Sequence, residues 1–208
     1  MTVGEPGVGM MRREPHPLPT AMRRADVMYM VAPNYFTADM VRALPDDGNR
    51  YETVRGELLV SPSPRALHQL ALIRLVVELG IYLRANAVGQ LFASPADISW
   101  GPDILVQPDL FVVDPVQAGT LDWSRMQRLL LAVEVLSPSS TRADRFTKRV
   151  LYQQVGIPAY WLVDADARAV EVWTPGASFP VVEDETLRWA PDGASAPLEL
   201  DLGALFAR

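Results

Sequence analysis

Cysteine is absent from the 208 residues of the chain. Its absence excludes structural disulfides and thiolate metal sites, and it accords with a reducing compartment. No continuous apolar h-region follows the N-terminal arginines. No apolar run approaches the roughly 18 to 20 residues needed to span a bilayer. The expectation is a soluble, cytoplasmic protein with no membrane association. Repeats and long low-complexity segments are also missing. So is a basic balance, because Lys and Arg number 19 against 25 Asp and Glu, a net charge of -6. All of that net charge falls in residues 164–208, while residues 1–163 balance. The strong positive footprint of a dedicated DNA-binding domain is therefore lacking, as is any reader helix or zinc finger.

Lysine is almost absent. Lys148 is the single lysine among the basic residues, so the chain uses arginine nearly everywhere else. A lysine is a compact point charge that can meet a phosphate and a water without arginine's planar fork. One reading of Lys148 is a role arginine cannot fill; the other is a chance survivor of arginine-rich coding. It stands in LLAVEVLSPSSTRADRFTKRVLY, residues 130–152, the stretch around which the chain is organised. The apolar run 129–133 predicts a strand covered on both faces, with Glu134 at its end. Ser140 or Thr141 is expected to cap the following helix, with Asp144 in the capping-box position and Gly156 and Pro158 closing it. Spacings of four place Asp144, Lys148 and Tyr152 on one stripe. Arg142, Arg145 and Arg149 add a local basic patch.

What is present elsewhere is a 49% hydrophobic composition, enough for one domain with a sizeable core. Residues 1–34, rich in Gly, Pro, Arg and Met, are expected to form a flexible arm that includes His16. A short helix is expected over 37–44, and a hairpin over 51–61 turning at Arg55-Gly56 with Glu57 beside the turn. A long, largely apolar helix is expected over 64–85, with Ser63 as cap and Pro64 at its first position. Strands follow at 90–93, 96–100, 104–106 and 109–113, with a short helix after Thr120. Further strands are expected at 159–163 and 170–173, and edge strands in the acidic extension 176–208, which packs on the same domain. Trp161 and Tyr160 read as core or sheet-surface aromatics.

Asp109, Glu134 and Lys148 are charged groups in or beside apolar elements. Two carboxylates at neighbouring strand ends can share a hard cation such as Mg²⁺, with lysine assisting an attacking water or a phosphoryl oxygen. The plainer alternative makes Asp109 a turn cap and Glu134–Lys148 a buried salt bridge.

The segments GELLVSPSP, QPDLFVVD and AVEVLSPSSTRADRFTKRVLYQQVGIPAYWLVD, spread over residues 35–175, resemble the Uma-two family of restriction endonucleases, a branch of the PD-(D/E)XK nuclease superfamily. The resemblance implies an α/β (α+β) fold, a restriction-endonuclease-like core with a mixed central β-sheet flanked by helices. It implies that Asp109 and Glu134 hold the metal, that the backbone carbonyl of Val135 also contacts it, and that Glu57 is a third metal or water ligand. Leu136 replaces the superfamily lysine two residues after Glu134, and the resemblance supplies that lysine as Lys148 from the following helix. His68 is read as a structural histidine rather than a base. Tyr152 is read as a packing residue with a bonded hydroxyl, and Asp144 as a helix-start acid or partner of Lys148.

The resulting expectation is a Mg²⁺-dependent endonuclease, with Mn²⁺ as a substitute, acting on DNA as a homodimer. Alternatives are a catalytically silent interaction module of the same fold, and a metal phosphoesterase acting on RNA or small nucleotides.

Overall fold

The structure, a computed structural model, describes Met1 and residues 35–207. Apart from Met1, the arm expected over residues 1–34 lies outside the described residues, as does His16.

Helix α1 (Ala38–Arg42) is capped by Thr37, whose side chain accepts the Met40 N–H. Strands β1 (Arg50–Val54) and β2 (Glu57–Ser61) pair antiparallel across Arg55 and Gly56. Both turn residues have positive φ, 52° and 82°, the backbone of a tight hairpin turn. Helix α2 (Ala66–Asn86) begins two residues later than Pro64, with Arg65 at its N-cap and no side-chain cap. Ser63 does not cap it because its hydroxyl donates to the Gly48 carbonyl at 3.3 Å.

The next strands are β3 (Gln90–Ala93), β4 (Ile98–Gly101), β5 (Ile104–Val106) and β6 (Leu110–Val113). Helix α3 (Pro115–Ala118), capped by Asp114, and a 3₁₀ turn at Trp123–Arg125 lead into β7 (Leu129–Val135). A π-helical segment, Ala143–Lys148, runs directly into α4 (Arg149–Gln154). Strands β8 (Tyr160–Asp164), β9 (Ala169–Trp173), β10 (Val181–Glu183), β11 (Thr186–Trp189) and β12 (Leu198–Asp201) precede the final α5 (Leu202–Leu205).

The central sheet has the order β10-β9-β8-β7-β6-β3. It is mixed, because β7 and β8 run parallel across the π/α4 crossover while its other pairs are antiparallel. A smaller sheet, β2-β1-β5-β4, packs on one face, and the β11-β12 hairpin helps to cover the other. The fold is thus the mixed α+β architecture with a helix-flanked central sheet that the sequence predicts.

Burial explains the layering. Ala71, Leu75, Leu79 and Leu83 of α2 recur at helical spacing and pack on Leu110, Leu131, Val133 and Trp161 of the sheet. Full burial of a leucine such as Leu75 or Leu79 stabilises by about 1.5–3 kcal/mol. On the opposite face Phe111, Ala132 and Leu162 meet Leu151 and Tyr152 of the crossover and Ile98 and Val106 of the smaller sheet. A bulge in β7, where Val112 pairs with Leu131 but Val113 with Leu129, sends Leu129 and Leu131 to opposite cores.

Helix α2 corrects one expectation. At 21 residues, with mean hydropathy 1.5 over its most apolar window, it has the length and composition of a membrane span. Here its inner stripe is committed to the sheet. Its outer stripe carries exposed Leu70, Ile73, Val77 and Ile81.

Candidate active site

The strand ends and the crossover segment bring the charged groups together on the face opposite α2's main contact. Glu134 shares the β7 face of Ala132, because strand side chains alternate. It is fully buried. One oxygen, Oε1, accepts from the Lys148 ammonium at 2.9 Å and from the Tyr152 hydroxyl at 3.2 Å. The other, Oε2, is buried with no hydrogen-bond partner among the described residues and lies 4.0 Å from an Arg50 nitrogen.

Lys148 and Asp144 lie in the π-helical segment, an uncommon widening of a helix often found at functional positions. The Lys148 ammonium, 1% exposed, also lies 2.8 Å from Oε2 of Glu52 and 3.4 Å from Oδ1 of Asp144. Asp144 is therefore the buried partner of Lys148 and no capping-box acid. Thr141 does not cap the helix either, since its hydroxyl donates to the Ser137 carbonyl at 2.6 Å.

Asp109 immediately precedes β6. Its Oδ1 accepts from Arg50 at 2.7 Å; its Oδ2 accepts from the Val135 backbone N–H at 2.8 Å and stands 3.0 Å from Nε2 of His68. His68 begins the buried stripe of α2, so its place at Asp109 follows from the same periodicity that packs that helix. Arg50 connects the two acids: its guanidinium bonds Asp109 and faces Glu134, and its Nε lies 3.7 Å from Glu52.

Burial and neighbouring charge set the protonation. Desolvation, reinforced by Asp144, Asp109 and Glu52, pushes the Glu134 carboxyl well above its ordinary value, and Lys148 pulls against this. Against the desolvation of the lysine itself, Glu134, Glu52 and Asp144 raise the ammonium, which stays charged. Against its own desolvation, the His68 hydrogen bond and the Arg50 charge hold Asp109 well below the carboxylate range. Burial pushes up Asp144 and, strongly, the Tyr152 hydroxyl.

Four sequence-predicted residues thus occupy one neighbourhood: Asp109, Glu134, Lys148 and the Val135 backbone. Glu57 is not among them. Its side chain is exposed beside the hairpin turn and reaches Thr147 at 3.5 Å. The acid that the hairpin does contribute is Glu52, 1% exposed, which also accepts the Gln107 N–H at 2.7 Å through Oε1. Arg50 and Glu52 escaped the sequence reading. Alternation gave no clear signal, because Glu52, Thr53 and Val54 are all buried in β1 and both of its faces are covered.

Among the described residues, no three carboxylate or imidazole side chains form a ready-made metal cage. The acid oxygens instead face Arg50 and Lys148. The donor chemistry nevertheless suits a hard divalent cation: the oxygens are carboxylate, and the buried Oε2 of Glu134 has no hydrogen-bond donor. The cluster opens through Arg50, His68 and Asp109 into a cavity of about 630 Å³, also lined by Ser61, Gln107 and Ser137.

Comparison with known proteins agrees with this architecture. No curated protein matches the chain. A crystal structure described as "a putative nuclease belonging to DUF820 from Anabaena variabilis ATCC 29413" superposes with a TM-score of 0.68 at 24% identity, covering 83% of this chain and 98% of that one. At that identity the likeness establishes the fold. Residues 38–203 match the Uma2 family, described as "Putative restriction endonuclease", and the chain belongs to that family.

Proposed function

We propose that the protein is a divalent-metal-dependent endonuclease that hydrolyses DNA phosphodiester bonds in the cytoplasm. The observation that carries this reading is the buried charge imbalance: among the described residues Glu52, Asp109, Glu134 and Asp144 surround two permanently charged cations, Arg50 and Lys148, and one Glu134 oxygen lacks a donor. Buried acids in excess of buried cations require a further positive charge or bound protons. Family membership favours the metal.

Asp109, Glu134 and the Val135 carbonyl would hold a Mg²⁺ or Mn²⁺ ion. When bound, it supplies a Lewis acid for the phosphodiester and lowers the pKa of the attacking water. The chain's own residues do the rest. The Val135 N–H and His68 fix Asp109, and Tyr152 fixes Glu134. Lys148 orients the water and stabilises charge on the phosphoryl group.

Calorimetric titration with Mn²⁺ tests the metal part of the reading. Wild type is expected to bind, and Asp109→Asn and Glu134→Gln are expected not to. Binding that survives both changes places the ion elsewhere.

Two active sites suit cleavage of both strands, and a homodimer that covers the exposed apolar stripe Leu70, Ile73, Val77 and Ile81 on α2 would supply them. One observation favours a second reading, a catalytically silent module of the same fold: Arg50 already faces both acids. Cleavage of DNA by wild type and not by Glu134→Gln separates the two.

A further inference from the structure

Arg50 belongs both to the buried acids and to the open cavity. Its Nη1 bonds Asp109 at 2.7 Å, its Nη2 lies 4.0 Å from Glu134, and its side chain is 22% exposed. Lys148, by contrast, is 1% exposed and lies within 2.8 to 3.4 Å of three carboxylates. Of the two cations, only Arg50 lines the cavity of about 630 Å³ and so has space into which to withdraw.

We propose that Arg50 is a positioning residue that acts as a surrogate cation: its guanidinium holds Asp109 and Glu134 together in the metal-free protein and competes with a divalent ion for both. The inference rests on the functional reading above, and it concerns how the metal site is guarded.

The geometry supports exchange over permanence. Arg50 hydrogen-bonds Asp109 and the Gln107 carbonyl, but makes only longer charge contacts to Glu52 and Glu134, and Oε2 of Glu134 stays without a donor among the described residues. Its own Nε is also buried without a hydrogen-bond partner. A divalent ion carries twice the charge and binds carboxylate oxygens at about 2.0 to 2.1 Å, so it satisfies the pair better than a guanidinium does. The same comparison excludes Lys148 as the exchanging cation, because it is held by three acids and does not itself line the cavity.

Arg42 provides the control. It lines the same cavity but pairs with Asp39 and Asp97 at the rim. Mn²⁺ titrations of the full chain should therefore be compared for wild type, Arg50→Gln, Arg50→Lys and Arg42→Gln. Removing the competing cation is expected to tighten Mn²⁺ binding about tenfold, within the usual range for coupling between two ligands. Arg50→Lys, which keeps the charge but loses the fork, should fall between Arg50→Gln and wild type, and Arg42→Gln should match wild type. A purely structural Arg50 predicts the opposite, weaker binding in its variants.

Equal or weaker binding by Arg50→Gln overturns the inference while leaving the metal site standing. If Arg50→Gln does not fold by circular dichroism, Arg50→Lys decides, and affinity no tighter than wild type overturns the inference. Binding by Arg50→Gln alone, with wild type silent, supports it. No binding by any folded protein overturns both the inference and the functional reading beneath it.

Discussion

The Lys148 ammonium lies 2.9 Å from Oε1 of Glu134, a residue fourteen positions earlier in the chain. That contact joins the end of a central strand to a π-helical turn, and both side chains are excluded from solvent.

Truncation of Lys148 should therefore act on stability as well as on chemistry. Lys148→Ala leaves Glu134, Glu52 and Asp144 without their common partner, and breaking a buried pair in this way costs roughly 3–5 kcal/mol. Denaturant unfolding should show the loss. An unchanged midpoint contradicts the buried network.

Glu52 and Glu57 should separate cleanly. Glu57→Gln alters an exposed side chain and is expected to change stability by less than about 0.5 kcal/mol. Glu52→Gln disturbs a buried acid against Lys148 and Gln107 and should cost about 1–3 kcal/mol, with lower hydrolytic activity. Paired unfolding curves and cleavage rates check the order. A reversal would return Glu57 to the site and remove Glu52.

Gly56 is required by its backbone. With φ at 82° and the Tyr35 ring where a Cβ would stand, Gly56→Ala should destabilise by more than about 1 kcal/mol. Thermal denaturation measures it, and a neutral result rejects the packing of Tyr35 on the hairpin.

The outer stripe of α2 should set the oligomeric state. Light scattering is expected to report a dimer for wild type and a monomer for Ile73→Glu, since Ile73 is 59% exposed at the centre of the stripe. A monomeric wild type at high concentration contradicts the homodimer.

Much of this was legible in the chain. The apolar run before Glu134, the strand after Asp109 and the spacing of four from Asp144 to Tyr152 predict the groups that meet, because burial and periodicity are local properties. The partners that neutralise them were harder to read. Arg50 and Glu52 reach the site only because β1 pairs with β5 and brings the smaller sheet against the crossover, a relation between distant segments. The π-helical turn left no sequence signature. Thr141 resembled a cap, yet its hydroxyl donates back to the Ser137 carbonyl four residues earlier.

DNA cleavage with and without added Mg²⁺ or Mn²⁺, by purified wild type, Asp109→Asn and Glu134→Gln, is the most direct test of the proposed metal-dependent site. Metal-dependent nicking or cutting by wild type, abolished in both folded variants, is the predicted result. Equal cleavage by all three, or cleavage by wild type in the presence of chelator, contradicts it.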